Sequence, residues 1–154
     1  MIRFYAEGVH AVKVNLVIAA RDVRANEDTN DLDILGVFTE ALPTALPAYV
    51  PLLYLIVFCE AETPEFGQDK LIEIHLFDAD RNLQQRWHDI FKVPHARRVG
   101  ERSFAAPIFP LENVPFPKAG GYEFSITVDK RTENSLPFYV HNPPETNEAE
   151  EREA

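Results

Sequence analysis

The chain of 154 residues carries 15 Lys and Arg against 25 Asp and Glu, a formal net charge of −10, which argues against general nucleic-acid binding because that needs a basic field over phosphates. Its length suits one ordinary domain with a core of its own, and its one cysteine, Cys59, rules out an intrachain disulfide. Cys59 sits in the apolar run LLYLIVFCE, where a small buried thiol of a reducing, cytoplasmic compartment is expected. The longest apolar stretch, residues 50–59, is about half what a membrane-spanning helix requires, and no signal-peptide pattern opens the chain, so no membrane span is expected.

In chain order, residues 9–20 (VHAVKVNLVIAA) read as a strand. Val12, Val14, Leu16, Ile18 and Ala20 share one face, opposite Lys13 and Asn15, and β-branched residues dominate without a helix cap. The polar run RDVRANEDTNDLD is expected to turn the chain back into a short strand over 31–39, with Gly36 a bulge or close-packing point. These two strands form a hairpin. Pro43, Pro47 and Pro51 make residues 41–51 an extended connection. LLYLIVFCE, apolar on both faces, then reads as a central strand. After a polar loop over 61–70, LIEIHLF (71–77) alternates Ile72, Ile74 and Leu76 against Glu73 and His75.

The turn DADRN leads into LQQRWHDIFKV, whose apolar residues fit a strand or one helical face. A short polar turn after an alternating strand favours a hairpin, so a strand is expected. Residues 94–100 are basic and irregular, and 102–109 form a strand with Phe104, Ala106 and Ile108 aligned. The best-defined stretch is VPFPKAGGYEFSITVDK (114–130), where Tyr122, Phe124, Ile126 and Val128 alternate with Glu123, Ser125, Thr127 and Asp129 behind a Pro- and Gly-rich turn. A polar turn over 131–135 precedes a closing strand over 136–140, which Pro137 marks as an edge. The expectation is an all-β fold: a single antiparallel β-sandwich of seven or eight strands, Ig-like or C2-like, over residues 1–142, followed by a disordered acidic tail over 143–154.

The succession of ILGVF, IEIHLFDADRN, FPKAGGYEFSITVDK and PFYV resembles a family of small bacterial proteins known only as a domain of unknown function, over roughly residues 10–140. The most specific piece pairs ILGVF with F-P-x-x-G-x-Y-x-F, carried by Phe116, Pro117, Gly120, Tyr122 and Phe124, with Gly121 inserted beside Gly120. The resemblance implies an Ig-like sandwich and brings no activity.

Chemistry-bearing patterns are sparse. Asp78, Asp80 and Asp129 fall short of the six to eight oxygen ligands calcium takes and read as turn residues. The loop 27–33 lacks the Gly and distal Glu of an EF-hand. The five histidines show no zinc spacing, and the serines stand outside any nucleophile elbow, so no metal, cofactor or catalytic residue is expected. The strongest candidate is residues 86–102, where Trp87, Arg97, Arg98 and Arg102 would form a basic docking face in an acidic chain. Buried aromatics with solvated arginines are the plainer reading of the same residues. The expected function is a non-catalytic protein-interaction or assembly module of a bacterial cytoplasmic system, binding a protein partner or itself. The alternative is a small-molecule or carbohydrate-binding sandwich, with or without hydrolytic activity, using Trp87 and Tyr49 as platforms.

Overall fold

A computed structural model describes residues 12–145. The tail expected over 143–154 and the start of the domain therefore lie largely outside the described residues. Among the described residues, ten strands form two five-stranded sheets. The first sheet contains β1 (Lys13–Ala25), β2 (Leu32–Val37), β4 (Ala48–Ala61), β7 (Ser103–Ala105) and β8 (Ile108–Phe116). The second contains β3 (Glu40–Ala41), β5 (Asp69–Asp78), β6 (Leu83–Lys92), β9 (Gly120–Val128) and β10 (Arg131–Val140). The fold is the expected sandwich, and the segment open to two readings, Leu83–Lys92, is a strand paired antiparallel to β5. Every pairing is antiparallel except a two-residue parallel bridge of β3 to Tyr139 and Val140. That bridge covers one end of β10, so only part of the strand expected at an edge is free.

Tyr122, Phe124, Ile126 and Val128 of β9 all enter the core, and β9 lies between β10 and β5 in the middle of its sheet. The turn before it is closed by Tyr122, whose hydroxyl donates to the Lys118 carbonyl at 2.6 Å and accepts from the Lys118 N–H at 3.2 Å. This is the arrangement of the tyrosine corner in Ig-like sandwiches, and it gives the F-P-x-x-G-x-Y-x-F pattern its physical reason. Phe116, at the end of β8, meets Tyr122 edge-on at 4.9 Å and stacks on Phe138 of β10 at 5.2 Å. Phe138 also takes Phe124 and Phe38 edge-on, at 5.8 and 5.5 Å. Both sheets contribute to this cluster, which ties them together.

Several boundaries differ from the sequence reading, each for a local cause. In β1 the alternation inverts: Val12 and Val14 are core residues, then Val17 and Ala19. The register to β4 shifts between Val14 and Leu16, so Asn15 is an extra residue that turns Leu16 and Ile18 outward. β1 also runs on to Ala25 through residues expected to be loop, because Asp22–Ala25 pair with Leu32–Leu35. Gly36 is a close-packing point, at φ +67°, where a Cβ would stand 3.2 Å from the Arg21 side chain. The single strand expected over 102–109 is two, β7 and β8, separated at Ala106 and Pro107, and Phe104 is exposed rather than aligned inward. The polar turn expected over 131–135 shrinks to Asp129 and Lys130, both at positive φ (47° and 70°). That is the conformation a two-residue type I′ hairpin demands, and it lets β10 begin at Arg131.

Truncating the central ring, Phe138→Ala, should cost about 3–5 kcal/mol in urea-induced unfolding, since Phe138 is almost fully buried among three aromatic neighbours, Phe38, Phe116 and Phe124. Tyr122→Phe keeps the packing and removes the turn closure, and should cost about 1 kcal/mol.

Candidate functional site

The sandwich has two outer faces, and strand register gives each a different chemistry. On the first sheet Ile56 is flanked by Ile18 and Ile108. The next row runs Val37, Ala20, Tyr54, Pro110, and on the other side Leu16 lies beside Phe58. Ile56 and Ala20 are fully buried although they stand on the side away from the core cluster. Around them Leu16, Leu35, Val37, Leu52 and Phe104 are 39–71% exposed. An apolar surface this continuous is unusual for the solvent side of a sheet.

The second sheet presents the reverse. One row across β6, β5, β9 and β10 reads Arg86, His75, Ser125, Ser135, and the adjoining row reads His88, Glu73, Thr127, Thr132. Lys130 Nζ lies 3.0 Å from Glu73 Oε1. The hydrogen bond from Lys130 holds the Glu73 carboxyl below its ordinary range, against the effect of burial and with help from the charges of Lys130, His75 and Arg86.

The four residues singled out from sequence do not gather into one face. Trp87 is half-buried and turns toward the core, its ring 6.5 Å from Phe124. Arg102 is engaged with Glu60 at 3.3 Å and Glu62 at 3.5 Å. Arg97 and Arg98 are exposed on the loop after β6. Arg97 and Arg102 line an open cleft of about 640 Å³ with His95, Leu32 and Phe104, and Trp87 does not line it. Tyr49 stands in the first sheet and Trp87 in the second, so the two form no common platform.

The acidic residues weighed as metal ligands hold turns. Asp78 Oδ1 accepts from the N–H groups of Asp80 and Asn82 at 2.9 Å each, and the Asn82 bond leads the causes that hold its carboxyl below the usual range. Asp129 accepts from the Leu71 N–H at 2.9 Å, at the opposite end of β5. Among the described residues no group of three or more His, Cys, Asp or Glu is placed to hold a metal ion. No helix among them is long and apolar enough to cross a membrane.

Residues 15–141 match DUF6941, a family of unknown function. The chain belongs to the DUF6941 family. No curated protein matches it. Among solved structures, this DUF6941 chain is similar to an alkylpurine DNA glycosylase, AlkC, of Pseudomonas fluorescens bound to DNA containing an abasic-site analogue, at 11% identity and a TM-score of 0.48 over 85% of this chain and 30% of that one. The DUF6941 chain thus spans under a third of the glycosylase's length. It is also similar to an immunoglobulin-like protein of Pseudomonas aeruginosa, at 12% identity and a TM-score of 0.38 over 86% and 98% of the two chains. Neither likeness bears on activity.

Sequence reading missed both outer faces for the same reason. Cross-strand neighbours are set by register, and residues such as Arg86 and Ser125 are distant in the chain. The exposed face of LLYLIVFCE was legible as apolar, but not as uncovered.

Two outcomes follow for this DUF6941 chain. Reversing Arg97 and Arg98 to Glu should change unfolding stability by no more than about 0.5 kcal/mol, as for exposed loop residues. Burial, aided by the negative charge of Glu133, pushes the Cys59 thiol up to about 12 from 9.0. Its contribution to stability is therefore complete below the unfolded value and is lost as pH rises beyond it. Iodoacetamide at pH 9 should leave folded Cys59 unmodified and label it readily in denaturant, which mass spectrometry distinguishes.

Proposed function

We propose that this chain is a non-catalytic interaction module that docks a partner protein on the outer face of its first sheet. The observation that carries the reading is the row structure around Ile56, an apolar surface with Leu16, Val37, Leu52 and Phe104 exposed at its margins. Leaving such a surface in water forgoes roughly 25 cal/mol per Å² that a partner would recover. A face of this kind suits protein docking better than ligand capture, since small-molecule sites are concave and enclose their ligand.

The rim charges indicate the partner's chemistry. Lys13 and Arg102 are engaged with Glu60, and Arg24 with Asp22. Asp33, opposite Arg24, and Glu112, opposite Leu52, have no ion pair among the described residues. The fitting occupant is therefore a protein surface apolar at its centre and basic at its margin, burying about 800 Å² on each side. A second copy, equally acidic at −10, would add repulsion to the same contact. The single buried cysteine suits a reducing bacterial cytoplasm as the setting.

The test compares wild type with the double variant Leu16→Glu, Val37→Glu. Both positions are exposed, so melting temperature should change little. Light scattering should show wild type monomeric. A partner retained from lysate, purified and rebound, should bind wild type, lose affinity about a hundredfold with the variant, and cross-link to the first sheet. A dimer abolished by the variant would replace the partner with a second copy. A partner bound equally by both proteins would place the interface elsewhere.

A further inference from the structure

We propose that the outer face of the second sheet is a binding site for an oxyanion of the phosphate class, centred on His75 between Arg86 and Ser125. The rows Arg86–His75–Ser125–Ser135 and His88–Glu73–Thr127–Thr132 bring together residues from four strands. Neighbouring strands stand about 4.8 Å apart and same-face residues along a strand about 7 Å apart, so the two rows form a compact polar field.

Its burial is unusual for the solvent side of a sheet. Glu73 is 7% exposed, Ser125 5% and Thr127 9%. The short hydroxyl side chains of β9 stand beside the longer Glu73 and His75 of β5, with Arg86 and His88 of β6 beyond them. The Thr127 hydroxyl is buried without a hydrogen-bond partner among the described residues. Buried hydroxyls are almost always paired, and an unpaired one points to a missing ligand or water.

The groups left uncommitted decide the ligand's charge. Glu73, the one carboxylate in the two rows, is neutralised by Lys130 at 3.0 Å. Arg86, His75 and His88 take part in no ion pair among the described residues. What remains is a guanidinium, which only donates, with two imidazoles and a line of hydroxyls that can each turn a donor toward a ligand. A ligand rich in acceptors completes it. A tetrahedral oxyanion over His75 would meet the Arg86 fork on one side and the Ser125 hydroxyl on the other, with charge-assisted bonds of the kind arginine makes to phosphate. The site is separate from the apolar face and does not depend on it.

The test is a titration of the full-length, 15N-labelled chain with inorganic phosphate, ionic strength being held constant with chloride. The expected result is a saturable shift of the His75 and His88 imidazole signals and of the Ser125 and Thr127 amides, with Kd in the millimolar range. Arg86→Gln, an exposed substitution whose folding the same spectrum verifies, should weaken it about tenfold, the usual worth of one charged hydrogen bond. The double variant Arg97→Gln, Arg98→Gln should leave it unchanged. A neutral peptide carrying one phosphoserine separates the sources: tighter binding than phosphate assigns a phosphorylated partner, and equal binding assigns the free anion. Shifts that never saturate, or that survive Arg86→Gln and vanish with the Arg97 and Arg98 variant, would overturn the assignment.

Discussion

The stacking of Phe116 on Phe138 is the contact on which the rest of the sandwich depends. Phe116 ends a strand of the first sheet and Phe138 sits near the end of a strand of the second, with ring centroids 5.2 Å apart. Between them the chain crosses from one sheet to the other in the short turn after Phe116, and Tyr122 closes that turn on Lys118. Phe38 reaches the same cluster from the end of the first hairpin, with the Arg21 guanidinium lying over its ring at 4.3 Å. Large rings that interlock edge to face leave few alternative arrangements, so this cluster sets how the two sheets align.

Once the sheets are clasped, the outer faces follow from register. One extra residue at Asn15 decides the character of the first. Without that bulge, Leu16 and Ile18 would continue the inward phase of Val12 and Val14, and the outer surface of β1 would carry Val17 and Ala19 instead. The bulge therefore delivers larger apolar side chains to the outside, next to Phe58 and Ile56. In the second sheet β9, β5 and β6 keep their phase from Glu73 to His75, and the two outward rows there are polar, bounded by Leu71 and Ile90 at one end and Phe77 at the other. The result is a sandwich with an apolar patch on one outer face and a polar patch of two rows on the other.

That division separates two kinds of chemistry on a small domain. The apolar face offers area with little directionality, which suits a protein surface. The polar face offers Arg86, two histidines and buried hydroxyls side by side, which suits a small charged group. The basic loop that stands out in the sequence is less organised than either, because Arg102 is occupied by Glu60 and Glu62 while Arg97 and Arg98 extend into solvent.

The sequence by itself determined the class of the fold, because that depends on local information. Strict alternation in YEFSITVD, the apolar run of β4 and the turn DADRN each follow from the period of a strand or the φ demands of a turn, and each stands at its expected place. The tyrosine-closed turn was legible as a motif for the same reason. What only the tertiary structure decided was phase and neighbourhood. A bulge such as Asn15 costs one residue of register and leaves no compositional mark, so the inversion of β1 could not be read from its alternation. The break at Ala106–Pro107 and the two-residue turn at Asp129–Lys130 likewise depend on which partner strand is available to pair with. Trp87 went to the core and Arg86 to the polar face because adjacent residues in a strand point to opposite sides. Both candidate faces are assembled across strands far apart in the chain, and the contacts that define them exist only after the sheets have formed.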